Sequence, residues 1–393
     1  AALVKTAEPG RIGAIAGDLA GVEEMYALKN LMGLLGSSNI DARPAGSALD
    51  PKKGRGSYIF NSTIAGIENA DALLIVGANP RWEAPVLNAR IRKAWRAGGV
   101  EIGVIGEAAD LTYDYTHLGA GIDSLADLAS GKGSFAKTLK KAQRPIVIVG
   151  EGAVTGASAK NVVGFATEIA KTAGALTADW NGFAVLHTAA SRVGALDIGL
   201  VPGRGGLDTA DMLKAAGAGK LDVLFVLGAD EIDMSGLGET KVVYIGTHGD
   251  AGAHRADVIL PAATYTEKSA TYVNTEGRVQ MTARAVFAPG EAKEDWAILR
   301  ALSAVLGQPL PFDSLSGLRA RLYGEYPHLA QLDAIAPGSA SDVSALADTA
   351  VPKSTYALIS PVGDFYLTNP IARASAVMAE CSQLMSGLKQ AAE

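Results

Sequence analysis

The sequence predicts an α/β fold of two doubly wound, mostly parallel-sheet lobes with a C-terminal helical and extended tail. Short apolar runs ending in glycine turns recur along the chain, amphipathic helical segments lie between them, and both patterns give way to shorter pieces past about residue 301.

The runs are IGAIAG (12–17), DALLIVGAN (71–79), VEIGVIG (100–106), RPIVIVG (144–150), LDVLFVLG (221–228), KVVYIG (241–246) and ADVILP (256–261). Their apolarity is continuous, which predicts parallel strands covered on both faces. Between them, Val22, Met25, Leu28, Leu31, Met32 and Leu35 follow one helix face, as do Leu87, Ile91, Ala94 and Trp95, and then Val162, Phe165, Ala166, Ile169 and Ala173. Asp18 is expected to cap the first helix, with Glu23 and Glu24 complementing its dipole and Gly36 ending it. ADALLIVGANPRWEAPVL (70–87) and KLDVLFVLGADEIDMSGL (220–237) repeat strand, glycine turn and polar residue in the same order, as two related lobes would. The expected division is a first lobe at 1–135 completed by a returning segment at 248–300, a second lobe at 136–247, and a C-terminal part at 301–393. An alanine-, serine- and aspartate-rich stretch at 333–354 reads as a surface linker.

With 393 residues, 48% of them hydrophobic and 19% charged, the chain can bury a substantial core. A net charge of −6 provides no broad positive field, so nucleic acid is not an expected partner. No apolar stretch reaches the roughly 20 residues that span a bilayer, so no direct membrane insertion is expected. The single cysteine, Cys381, excludes an internal disulfide and any multi-cysteine cluster or zinc site. Ala1 stands directly before a strand-like segment, and the expectation is a piece of a longer chain.

Gly77-Ala78-Asn79-Pro80 offers backbone N–H groups at a strand end, where open sheets bind ligands, but reads rather as a tight reversal. Gly150-Glu151-Gly152-Ala153-Val154-Thr155-Gly156 looks like a dinucleotide loop whose third glycine falls one position late, and Glu151 would repel pyrophosphate. Arg81, Arg90, Arg92, Lys93 and Arg96 form a basic face that reads as a solvated helix side or a protein contact. His117, His187, His248, His254 and His328 show no metal-ligand spacing; His248 and His254 flank Asp250 in what reads as a hydrogen-bonded loop. Asn274-Thr275-Glu276-Gly277-Arg278 suits either cofactor recognition or a salt-bridged turn.

The stretches ADALLIVGANPRWEAPVLNARIRKAW (70–95), ASRVGALDIGLVPG (190–203) and HGDAGAHRADVILPAATYTEKSATYVNTEGRVQ (248–280) resemble the molybdopterin oxidoreductase superfamily. TYDYTHLG (112–119) and DFYLTNPIARASAVMAEC (364–381) resemble its branch in the large iron–sulfur subunit of respiratory complex I, NADH:quinone oxidoreductase, and the likeness runs from about Arg11 to Cys381. The resemblance implies lobes of molybdopterin-oxidoreductase type and a role in the electron-transferring subunit of that complex. It also shows departures from catalytic members. Gly106-Glu107-Ala108-Ala109-Asp110 stands where an Asp-Pro-Arg turn would help hold the pterin dinucleotide. No cysteine lies in the expected metal-ligand loop near 37–47, where Ser38, Asp41 and Ser47 are the remaining candidates. The terminal barrel that closes over the cofactor has no counterpart.

The resemblance and its departures together imply a cofactor-free structural part, with no catalytic, cofactor-binding or metal residue assigned. Asn79, Asn274, Glu276 and Arg278 are expected to secure a lobe junction. The resemblance implies 2Fe-2S and 4Fe-4S clusters in an N-terminal region outside this chain and FMN in a neighbouring subunit. It further implies partners among peripheral-arm subunits, the flavin-binding one included, and a position on the cytoplasmic side of a bacterial inner membrane or the mitochondrial matrix side. The competing readings are a working molybdenum or tungsten enzyme and, further off, an NAD-dependent dehydrogenase.

Overall fold

All seven apolar runs form strands in the computed structural model, which describes residues 1–156, 158–346 and 356–392. One parallel sheet has the order β10-β9-β8-β1-β2, from β1 (Ile12–Ala16), β2 (Asn39–Asp41), β8 (Val223–Leu227), β9 (Lys241–Gly246) and β10 (Val258–Pro261). A second has the order β5-β4-β3-β6-β7, from β3 (Ala72–Val76), β4 (Glu101–Ile105), β5 (Thr116–Gly119), β6 (Pro145–Val149) and β7 (Phe183–Val185). A hairpin of β11 (Thr271–Val273) and β12 (Val279–Met281) stands apart from both.

The chain divides between the sheets differently from the expected lobes at 1–135, completed by 248–300, and at 136–247. Residues 12–41 and 223–261 build the first sheet, and 72–185 build the second without interruption. Consecutive strands usually lie side by side; here the chain leaves β2 and completes a whole sheet before returning. The internal echo has a structural counterpart, because β3 and β8, the strands that carry it, are each the central strand of their sheet.

Strands β1, β3, β6 and β8 are buried along their whole length, as continuous apolarity predicts. β10 departs from that expectation. It is an edge strand, with Ile259 52% exposed. The short strands β2, β5 and β7 carry no apolar run long enough to announce them, and each lies at the end of a strand order.

The helix Val22–Leu34 is buried from Val22 to Leu28 on every side, Glu23 and Glu24 included. These carboxylates do more than complement a dipole. Glu23 accepts from the Thr271 N–H and hydroxyl, both at 2.7 Å, and from Arg319 at 2.8 Å, while Glu24 accepts from Lys268 and from the Gly21 N–H. Gly21 is the N-cap, so Asp18 does not fill that role; Gly36, with φ of +71°, ends the helix as expected. The C-terminal part packs as the helices Asp295–Val305 and Leu315–Glu325 against Val22–Leu34. Part of the supposed linker at 333–354 is also bound down: Val343 is fully buried and Asp342 accepts from the Gly56 N–H at 3.0 Å. Apolar valine and a capping serine at Ser339 hold it there. Residues 347–354 of that stretch lie outside the described residues.

Candidate functional site

Each sheet reverses its strand order once, between β1 and β8 in the first and between β3 and β6 in the second. Ligands of open parallel sheets bind at such a switch, beyond the carboxyl ends of the strands. Glycines make both places narrow. A Cβ at Gly17 would lie 1.8 Å from the Gly228 carbonyl oxygen, and one at Gly150 would lie 2.4 Å from the Ala78 Cβ. The residues that follow are acidic: Asp18 after β1, Glu231 after β8, Glu83 after β3 and Glu151 after β6. All four line one cleft of about 540 Å³, together with Arg192.

The charges in this cleft do not balance. Arg192 is 1% exposed and donates from Nη2 to Asp18 at 3.1 Å. Burial raises the Asp18, Glu83 and Glu151 carboxyls above their usual range, and it pushes Glu231, with the nearby Asp18 charge, up to about 7. Four carboxyl groups therefore face Arg192 and one further guanidinium, Arg373, which donates to Asp250 at 2.6 Å and to Glu231 at 3.2 Å.

Arg373 belongs to the C-terminal tail, and the tail occupies both strand-end crevices. On the second sheet, Ala357 bridges to Gly121 and the Leu358 N–H donates to the Ala120 carbonyl at 2.8 Å. The backbone then passes so close that a Cβ on Gly152 would lie 1.8 Å from the Ile359 carbonyl oxygen, and one on Gly106 would lie 3.0 Å from that of Leu358. Residues 361–368 continue along the cleft wall. Over the first sheet, Asn369 caps the short helix Pro370–Arg373 by accepting from the Ala372 N–H at 2.9 Å, and Pro370 and Ile371 line one pocket with the ends of β8 and β9. The tail acts as a strap across the two lobes.

The residues singled out from sequence fall into several groups. Asn274, Glu276 and Arg278 do form a junction at the β11–β12 turn, where Glu276 accepts from the Ile64 N–H at 2.8 Å and from Arg278 Nε at 3.0 Å. Thr275 extends it, accepting from the His187 N–H and donating to the Val185 carbonyl. Asn79 is not part of it; its N–H donates to Glu83 at 2.7 Å at the end of β3. The Arg278 side chain is 36% exposed, so its loss costs less than a fully buried pair would. Ser38 is exposed, Asp41 accepts from Arg43 at 2.7 Å and Thr209 N–H at 3.1 Å, and Ser47 accepts only a long bond from the Leu49 N–H at 3.4 Å. On the basic face, Arg90 and Lys93 pair with Glu68 and Arg81 pairs with Asp110. Among the histidines, His187 bonds the Tyr58 carbonyl and burial pushes it down to about 4, His328 pairs with Asp197 at 3.2 Å, and His117 bonds the Gly106 carbonyl at 2.9 Å. His248 bonds Thr247 and His254 lies on the short helix Ala251–Arg255. Sequence reasoning missed Asp18, Glu83, Glu231, Arg192 and Arg373 as members of one cleft. The signal for three of them was an acidic residue just past a strand-end glycine.

The family model of molybdopterin oxidoreductases matches residues 1–305. The chain belongs to this family. A second model, of the C-terminal part of an NADH-ubiquinone oxidoreductase subunit, matches residues 333–381, the stretch that contains most of the strap. The chain is 40% identical over 380 residues to the mitochondrial NADH dehydrogenase [ubiquinone] iron-sulfur protein 1 of Solanum tuberosum, covering 96% of this chain and 50% of that protein. It is 42% identical to the 78 kDa subunit of NADH-ubiquinone oxidoreductase from Neurospora crassa, covering 94% and 50%. It thus spans about half the length of these relatives. A solved formyltransferase/hydrolase complex (FhcABCD) from Methylorubrum extorquens contains a chain that shares the fold at a TM-score of 0.54 and 19% identity, over 82% of this chain and 96% of that one.

The molybdopterin dinucleotide that the family name implies does not fit this lining. Its phosphates would meet four carboxyl groups, and the turns at Gly106 and Gly152 already carry the strap's own backbone carbonyls. The segment 107–110 adds two more acids beside residues 358–363. Among the described residues, no group of three or more His, Cys, Asp or Glu side chains is placed to hold a metal ion.

Proposed function

We propose that the chain is the α/β body of the large iron–sulfur subunit of respiratory complex I, NADH:quinone oxidoreductase, and that it acts there by shape. The observation that carries this reading is the strap. The strand ends of both sheets are crossed by residues 357–373 of the chain itself, which narrow the crevices of a pterin-enzyme fold, within the stretch matched by the model of the C-terminal part of the NADH-ubiquinone oxidoreductase subunit. In this reading the segment binds no cofactor and has no catalytic residue. The 2Fe-2S and 4Fe-4S clusters lie in the other half of the subunit, and FMN lies in a neighbouring one. Electron tunnelling needs fixed spacing between centres, and two rigid sheets held together by a strap provide a fixed mount for the cluster-bearing half. The partners are other peripheral-arm subunits, the flavin-binding one among them. The position is peripheral, on the cytoplasmic or matrix side, which accords with the finding that no described helix is long and apolar enough to cross a membrane.

The test is made in cells that produce the full-length subunit lacking residues 356–393. NADH:ferricyanide activity, which reads the flavin end, and NADH:quinone activity of the membranes are compared, together with native-gel mobility of the complex. Full assembly with unchanged NADH:quinone activity would refute the structural role. Stoichiometric molybdenum or tungsten with a releasable pterin in the purified chain would replace it with the metalloenzyme reading.

A further inference from the structure

The cleft between the two switch points contains charged atoms that the fold leaves without partners. Among the described residues, Arg192 engages Asp18 through Nη2 alone and its Nε and Nη1 meet no acceptor, although the residue is 1% exposed. Glu151 is likewise 1% exposed, and neither carboxylate oxygen receives a hydrogen bond from a described residue. Both line the same space of about 540 Å³, within the roughly 300–1,000 Å³ usual for small-molecule sites. Buried groups in folded proteins are satisfied by protein, water or ligand, and an unsatisfied charged group is the most unfavourable kind.

The chemistry of the lining narrows what would satisfy them. The carboxylates do not converge on a point as metal ligands would, so the occupant is polyatomic. Arg192 asks for an acceptor, best an anionic one. Glu151 asks for donors, and Asp18, Glu83 and Glu231 around it make the site as a whole acidic, with Arg373 the further cation paired at its edge. An anion such as a nucleotide is repelled, and a neutral apolar molecule leaves the Glu151 carboxyl oxygens and the Arg192 Nε and Nη1 without partners.

We propose that this cleft binds a small basic amino acid, its α-carboxylate on Arg192 and its cationic N–H groups on Glu151. The ligand's net positive charge offsets the surplus of carboxylates, and its two ends match the two sets of unpartnered atoms. The site lies beside the strap, so an occupant would also link the two lobes through Arg192 and Glu151.

The 393-residue chain is titrated with L-arginine in a calorimeter, with L-lysine, agmatine and L-glutamate as comparison probes. Saturable binding of arginine at one site is expected, with agmatine, which lacks the carboxylate, and glutamate, which lacks the cationic end, each at least about tenfold weaker. Glu151→Gln keeps the shape of the side chain and is expected to weaken arginine by about tenfold or more while the protein stays folded by circular dichroism. Arg192→Lys gives a second reading from the other end of the ligand, weakening arginine but not agmatine. Absence of saturable binding by either basic amino acid to the folded chain overturns the proposal. So does equal binding of agmatine and arginine, or arginine binding indifferent to Glu151→Gln, or a crystal soaked with arginine that shows only ordered water between Arg192 and Glu151.

Discussion

Gly152→Ala tests the seating of the strap. The added methyl would lie 1.8 Å from the Ile359 carbonyl oxygen, a backbone atom that cannot rotate away. To reach even a tight contact the strap must retreat by more than about 1 Å, and packed interiors do not absorb that locally. Two interactions go with it. Leu358, 8% exposed, loses burial of about 1.5–3 kcal/mol, and its N–H loses the bond to the Ala120 carbonyl, about 1 kcal/mol. Alanine in the short helix Glu151–Val154 returns about 0.5–1 kcal/mol, so the net loss is about 1.5–3.5 kcal/mol. Urea unfolding reads the stability, and hydrogen exchange followed by mass spectrometry reads the peptide over 356–374. The expected result is a lowered midpoint with protection lost in that peptide and retained in β3 and β6. An unchanged midpoint with full protection at Leu358 would refute the account of the strap.

Two further substitutions probe the charges that hold the lobes. Asp197, whose side chain is fully buried, accepts from Arg55 at 2.8 and 2.9 Å and from the Tyr58 hydroxyl at 2.8 Å, so Asp197→Asn strands the Arg55 charge and should cost about 3–5 kcal/mol in urea unfolding. Against burial, which would raise it, bonds from His328 and Arg55 hold the Asp197 carboxyl below the usual range; its stabilisation is present above the unfolded-state value and is lost as pH falls through the lower folded one, so wild type and variant should converge in strong acid. Glu231 shows the opposite sign: the unfolded chain ionises near 4.5 and the folded protein near 7, so ionisation removes stability between those values and then levels off. Glu231→Gln should flatten that part of the stability profile and gain on wild type at pH 8 relative to pH 5; parallel profiles would contradict the assignment.

The fold was legible wherever burial was two-sided. Four of the seven apolar runs became β1, β3, β6 and β8, which have no solvent face to force alternation. β5, with its polar Thr116 and His117 exposed, had no such signature, and β7 offered only three residues. The lobe bounds were misplaced from β3 onward, because nothing local tells a chain leaving β2 that it will start a new sheet. The cleft was half legible. Glu151 stood out as an acid inside a glycine loop, whereas Arg192 and Asp18 are 174 positions apart and meet only where the turn after β1 reaches the helix Arg192–Asp197. The strap was recognisable as wording, DFYLTNPIARAS, but its place across the strand ends depends on backbone approaches that no side-chain pattern encodes.

The split of the first sheet has a consequence for biosynthesis. On a ribosome, β1 and β2 emerge before the other strands of their sheet and find no neighbour on β1's open side until β8 appears, some two hundred positions later. The intervening stretch 72–185 has all its strands in one continuous run and can assemble while the first two wait. During that interval the apolar edge of β1 is the exposed hazard of the nascent chain, a natural target for chaperones. Translation pausing between β7 and β8 would therefore lower the yield of folded protein more than an equal pause after β10.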